Sequence, residues 1–251
     1  MFRLPIYVVS LPEDKERRLR LSEEFPSTYP RFNFVEAIDM RGQHLENCME
    51  RTDSLLPAEL GCSLSHIKVL TRFLETDSEC CLILEDDIIG GDRSIEDVER
   101  SLKYLPKDFL VICGGQQGLR NRSYLRGYET DFCGLYKVFR CSRRFVLRTC
   151  CYLLSRSAAE TILATQYKKI FRADDWHILL RDFDNLFFLN VLSHPEDLSC
   201  SHIESERRPK ETAFLRRALN DGIGKVTFNI ILKIIIVWYS LFRKIKKIDV
   251  G

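Results

Sequence analysis

Residues 80–89 read "CCLILEDDII": a short apolar run, three adjacent carboxylates, then more apolar residues. Five apolar residues with two β-branched ones nearby fit a strand buried on both faces, as in a sheet covered by helices on each side. Glu85, Asp86 and Asp87 then stand at the carboxyl end of that strand. Acidic residues are poor strand formers, and neighbouring anions repel one another. One reading is a strand running out into a solvated loop, and the other is a site that expects a cation.

Working outward, "PIYVVSL" (5–11) is a second buried strand, and "PEDKERRLRLSEEF" (12–25) opens with a Pro and acids as a helix N-terminus does. "FNFVEAI" (32–38) alternates as a strand, and a polar loop covers 39–53. In "PAELGCSLSHIKVLTRFLE" (57–75), Leu60, Leu64, Ile67, Leu70 and Leu74 recur at three- and four-residue spacing, the apolar face of a helix. "SIEDVERSLKYL" (94–105) predicts a helix and "DFLVICGG" (108–115) a strand. Residues 116–144 hold six Arg with little periodicity and read as a long loop. "FVLRTCCYLLSRSAAETIL" (145–163) is strand then helix, and "LFFLNVL" (186–192) a last strand. Strands alternating with helices predict an α/β, Rossmann-like, mainly parallel sheet with helices on both faces, whose ligands bind at the strand carboxyl ends.

Composition narrows the classes. A chain of 251 residues, 45% hydrophobic and 29% charged, suits one α/β domain, or one domain plus an appendage, and argues against global disorder. The net charge of +2 hides an asymmetry: residues 223–251 carry +5, which leaves the remainder at −3. An acidic body argues against nucleic acid as a partner. The ten cysteines form no C-x-x-C pair, and several sit in strand-like runs where they act as small hydrophobes. With no signal-peptide pattern at the N-terminus, a reducing, cytosolic setting is the expectation.

Three constellations carry possible chemistry. Glu85 and Asp87, one residue apart at a strand end, point the same way, an arrangement that suits a hard cation bridged to a diphosphate. On the 57–75 helix, Glu59, Cys62 or Ser63, and His66 form a polar stripe able to face a ligand. In "RADDW" (172–176), Asp174 is either a helix N-cap or a proton acceptor.

Taken together, "VVSLPEDKERR", "ELGCSLSHIKVL", "LILEDDI", "CCYLLSRSAAETIL" and "RADDW" resemble the ordered blocks of glycosyltransferase family 25, over roughly residues 4–205. The resemblance implies a GT-A fold and a metal-dependent transferase that uses a nucleotide-sugar donor, with UDP-galactose and a lipooligosaccharide or lipopolysaccharide acceptor as the expectation and inversion at the anomeric carbon. UDP-glucose or a UDP-N-acetylhexosamine stays open as donor, as do a metal-dependent phosphohydrolase and a non-catalytic sugar-nucleotide-binding protein. By position, the resemblance implies Asp87 and Glu85 as ligands of Mn2+ or Mg2+, completed by His194 or His202. It places Ser10, Leu11, Arg17, Arg18, Glu59, Gly61, Ser65, His66, Glu85 and Asp86 on the donor side, and Asp174 or Asp175 as acceptor ligand or base. Ser10 stands where the family has Asn, and Ala173 where a β-branched residue is commoner.

The segment "KVTFNIILKIIIVWYSLFRKIKK" (225–247) predicts one amphipathic helix, with Lys225, Asn229, Lys233, Ser240, Lys244 and Lys247 inside an arc of about 100°. Spanning a membrane takes about 20 uninterrupted apolar residues, and Lys233 interrupts this run. The expectation is a catalytic domain over 1–205 and a basic tail over 206–251. That tail would hold the enzyme on the anionic cytoplasmic face of a bacterial inner membrane, near a lipid-linked acceptor, with an oligomer-packing helix as the alternative.

Overall fold

The computed structural model describes residues 3–41, 55–119, 121–195, 230–238, 240 and 245–250. Strand β1 (Ile6–Ser10) lies between β2 (Phe32–Glu36) and β3 (Cys80–Glu85), parallel to both. Antiparallel β7 (Cys151–Ser155) separates β3 from β4 (Leu110–Gly114), which pairs in parallel with β8 (Leu186–Leu192). The sheet ends in a hairpin, β5 (Arg126–Glu129) and β6 (Leu135–Val138), and in β9 (Lys246–Lys247). The order is β2-β1-β3-β7-β4-β8-β6-β5-β9. The expected mainly parallel sheet is therefore mixed: β7, the hairpin and β9 all run antiparallel to their neighbours.

Both faces are covered, which is why the central strands are apolar at every position instead of alternating. Ile6, Val8, Leu82 and Leu84 pack with Leu21 of α1 (Lys15–Glu24), with Phe25 at its C-cap, and with Ile95 and Val98 of α3 (Asp92–Ser101). Tyr7, Val9, Cys81 and Ile83 pack on the opposite face with Val69, Leu70 and Phe73 of α2 (Pro57–Leu74), and with Ala158 and Ile162 of α4 (Arg156–Lys168). Because α4 lies against α2, the buried face of α2 is wider than its leucine stripe, and takes in Ser63, Ser65 and His66. The described cysteines are free thiols, most of them buried, as small hydrophobes would be.

Two expectations need correction. Residues 116–144 contain the β5–β6 hairpin, whose short alternation (Leu135 and Val138 in, Tyr136 and Lys137 half-buried) is hidden among arginines. The segment 225–247 is not one helix: among the described residues, 230–238 are helical (α6), and 245–250 are extended. Ile248 N–H donates to Leu125 O (3.1 Å) and Lys246–Lys247 pair with β5, so an open sheet edge captures the β-branched end of the tail. Ile245, Ile248 and Val250 are buried there, as is Ile236 of α6. Lys233 of α6 turns toward the body, its Nζ 4.6 Å from the centroid of Tyr124, beside buried Ile236. Ile230, Ile231, Ile234, Val237 and Trp238 face out. No helix among the described residues is long and apolar enough to cross a membrane.

Candidate active site

A cavity of about 240 Å³ opens at the carboxyl ends of β1 and β3, walled by residues 37–41 after β2, the first half of α2, the 148–150 segment before β7, the 172–174 loop and His194. Because β7 is antiparallel, its leading segment arrives at the same end of the sheet as the trailing acids of β3.

The three acids take different partners. Asp86, 4% exposed, accepts a hydrogen bond from Arg17 Nη1 (2.9 Å). Its other oxygen, Oδ2, is buried without a partner. Burial raises its pKa, against the lowering effect of Arg17 and Ser10. Arg20 donates to the Asp86 and Ile88 carbonyls (3.1 and 3.0 Å), which fixes the turn that follows β3. That turn is clamped to the end of β8 by reciprocal Ile89–Ser193 backbone bonds, each 2.9 Å. The clamp sets Asp87 Oδ2 3.2 Å from His194 Nε2. His194 Nδ1 bonds Pro195 O (2.8 Å), which leaves Nε2 facing the carboxylate. Burial alone would lower the His194 pKa, but the Asp87 carboxylate prevails and raises it; Asp87 is correspondingly lowered by His194 despite its own burial.

These residues fit a hard divalent cation. Asp87 Oδ1 is buried without a partner, as Asp86 Oδ2 is. The Asp87–His194 separation matches that of neighbouring ligands at about 2.1 Å on one octahedral ion, roughly 3 Å apart. An imidazole whose far nitrogen donates to a backbone carbonyl is the usual arrangement of a metal-binding histidine. Asp14, Asp39, Glu59, Glu85 and Asp174 also line the cavity and add negative potential, against Arg17, Arg41, Arg148 and Arg172.

Glu85 turns elsewhere. Its Oε1 accepts from Thr149 Oγ1 (2.5 Å) and lies 3.2 Å from His66 Nε2, while His66 Nδ1 bonds Tyr152 Oη (2.8 Å). Tyr152 packs edge-on against Trp176 (centroids 5.2 Å), whose Nε1 donates to Arg148 O (3.0 Å). Arg148 has φ 64°, a left-handed conformation that costs a non-glycine residue on the order of 1–3 kcal/mol. Its guanidinium bonds the Gly115 and Gln117 carbonyls (2.7 and 2.9 Å), and its backbone N–H donates to Asp174 Oδ2 (3.1 Å).

Of the residues singled out in the sequence, Ser10, Leu11, Arg17, Glu59, Ser65, His66, Glu85, Asp86, Asp87, Asp174 and His194 line the cavity. Three others take structural positions. Arg18 bonds Ser10 Oγ (2.8 Å) and lies over Phe34. Gly61 packs against the 38–40 backbone. Asp175 is the N-cap of α5 (Trp176–Leu179), and its carboxylate bonds Arg172 Nη2 (2.7 Å). His202 lies outside the described residues. Sequence reasoning missed Arg148 and Thr149, because no local pattern marks β7 as antiparallel, and it gave the Arg172 that opens "RADDW" no role. A positively charged Arg-Thr pair immediately before "CCYLL" was the available signal.

The acid cluster at the strand ends makes this cavity the candidate active site. Residues 3–177 match the model of glycosyltransferase family 25 (LPS biosynthesis protein), and the chain belongs to that family. Over 113 residues it is 31% identical to a Haemophilus influenzae protein provisionally named a glycosyltransferase, a match that spans 42% of this chain and 39% of that one. Among solved structures it is similar to A197 from STIV (TM-score 0.42, 13% identity, 78% of this chain and 87% of that one). It is also similar to the mannose-1-phosphate geranyltransferase from Thermus thermophilus (TM-score 0.41, 12% identity, 77% and 75%).

Proposed function

We propose that this chain transfers galactose from UDP-galactose, with inversion, to a lipooligosaccharide or lipopolysaccharide acceptor, and that it does so with Mn2+ or Mg2+ held by Asp87 and His194. The observation that carries this reading is the Asp87–His194 pair with its unpartnered Asp87 Oδ1, beside a cavity rich in carboxylates. When bound, the cation would offset the charge that builds on the departing diphosphate. Arg17, itself held by Asp86, stands at the same rim to bind phosphate oxygens, in keeping with the preference of guanidinium for such anions. Asp174 is the base that takes the proton of the acceptor hydroxyl. One of its oxygens is fixed by the Arg148 N–H, whereas Asp175 is occupied by Arg172.

The outward apolar arc of α6 supports seating the enzyme peripherally on the cytoplasmic face of the inner membrane, with the lipid-linked acceptor beside it. The test is a panel of UDP-sugars with Mn2+, with and without EDTA and acceptor glycans, read as UDP release. Release that needs a metal and rises with acceptor supports the reading, and no metal-sensitive release from any donor would sink it. Ile234→Glu should cut sedimentation with anionic vesicles severalfold while UDP release stays unchanged. Equal sedimentation would remove the membrane role.

A further inference from the structure

One group of side chains in this cavity meets away from the Asp87–His194 pair. Cys62 Sγ, an imidazole nitrogen of His66 and a carboxylate oxygen of Glu85 all lie within 4.8 Å of one another. Two of the three come from a single turn of α2, where i and i+4 share a face, and the third from the end of β3. Thiol, imidazole and carboxylate together are a borderline-soft donor set, which Zn2+ and Co2+ accept and Mg2+ does not.

The surroundings are built for ligation. His66 is 5% exposed and its ring is held from behind by Tyr152 Oη at 2.8 Å, with Nε2 on the Glu85 side. An outer partner on the far ring nitrogen is what orients metal-binding histidines. Glu85 is held in turn by Thr149 Oγ1 (2.5 Å), and Thr149 lies 3.9 Å from Cys62 Sγ. All three donors also line the cavity, so an ion among them would keep a coordination position open to it.

We propose that Cys62, His66 and Glu85 form a second metal site, for Zn2+ or a similar borderline cation, separate from the hard-cation site at Asp87 and His194. Binding releases one proton. The Cys62 thiol ionises to form the metal–sulfur bond, and the His66 ring proton sits on Nδ1, facing the Tyr152 oxygen, so that Nε2 can donate its lone pair. The negative field of Glu85, Asp174 and Asp87, which with burial holds the free thiol in its protonated form, is the field a divalent cation would neutralise. The proposal does not depend on the sugar-transfer reading.

The test uses the full chain, stripped with EDTA, desalted and titrated with Co2+, whose thiolate complexes absorb in the near ultraviolet whereas purely nitrogen- and oxygen-ligated Co2+ does not. The expected result is a saturable band that disappears on adding Zn2+, is absent in Cys62→Ser and persists in Asp87→Asn. His66→Gln, which leaves the thiol in place, should weaken Co2+ binding roughly tenfold or more. If Cys62→Ser misfolds by circular dichroism, Cys62→Ala serves instead. No band in the folded wild type overturns the proposal, as does a band that survives loss of Cys62. A band lost in Asp87→Asn overturns the separateness of the two sites. None of these outcomes depends on UDP release.

Discussion

Gly61→Ala tests the geometry most directly, because two opposing effects have calculable sizes. A Cβ at Gly61 would meet Ile38 O at 2.6 Å and Met40 N at 3.3 Å. The first is about 0.7 Å shorter than the ~3.3 Å of even a weak C–H···O contact. Helix α2 and the 38–40 segment cannot simply part. Ser65 Oγ accepts from Ile38 N–H (2.8 Å), and Lys68 Nζ donates to Glu36 O (2.8 Å). Overpacking costs about 1–3 kcal/mol, and weakening the two bonds adds about 1 kcal/mol each. Alanine returns up to about 1 kcal/mol through its better helix propensity. The net is a loss of roughly 2–4 kcal/mol, or about 4–16 °C in melting temperature for a chain of this size. The same shift separates Asp39 and Arg41 from Glu59 and His66 across the cavity, so kcat/KM for UDP release should fall about tenfold. Thermal unfolding and steady-state kinetics on one preparation decide the matter. A melting temperature that stays or rises, as helix propensity alone dictates, with unchanged kcat/KM, would refute the close-approach account of Gly61.

Other expectations follow from the same geometry. Arg17→Met strands the 4%-exposed Asp86 carboxylate and should cost on the order of 3 kcal/mol in urea denaturation, with part of the loss recovered in Arg17→Met/Asp86→Asn. Asp174→Asn should lower kcat about 10²–10⁴-fold with the fold intact, whereas Asp175→Asn, breaking a pair with a 40%-exposed Arg172, should cost about 0–1 kcal/mol and little rate. Equal rate losses in the two would count against Asp174 as base. For the Asp87–His194 pair, the raised His194 pKa gives stability that is complete below 6.5 and fades as pH rises through the folded value. The lowered Asp87 pKa gives stability that is present above 3.8 and lost below it. Metal-free protein should thus lose stability above about pH 6.5, and His194→Gln should flatten that decline in melting temperature against pH.

How much of this was legible in the chain depended on the range of the interaction involved. Strands β1, β3 and β8 and helix α2 were readable because apolar runs and three- to four-residue spacing are local, and because burial on both faces removes the need for alternation. The acid cluster at a strand end was readable for the same reason. The hairpin in 116–144 was not, since its strands are four residues each and their outward positions carry Arg, Lys and Tyr.

Local patterns in the chain carry the family, the succession of the central strands and helices, and the placing of Glu85, Asp86 and Asp87 at a strand's carboxyl end. What those acids face depends on contacts between distant segments. Asp87 meets His194 because the Ile89–Ser193 bridge joins two distant turns, and Glu85 meets Thr149 because β7 runs antiparallel to β3. The tail, too, was settled by its partners in space: the sequence spacing predicts a helix through residue 247, yet Lys246–Lys247 pair with the edge of β5, and Ile245, Ile248 and Val250 are buried beside it. Side-chain periodicity is written along the chain, but strand direction and edge pairing are set by hydrogen-bonding partners that no local window contains.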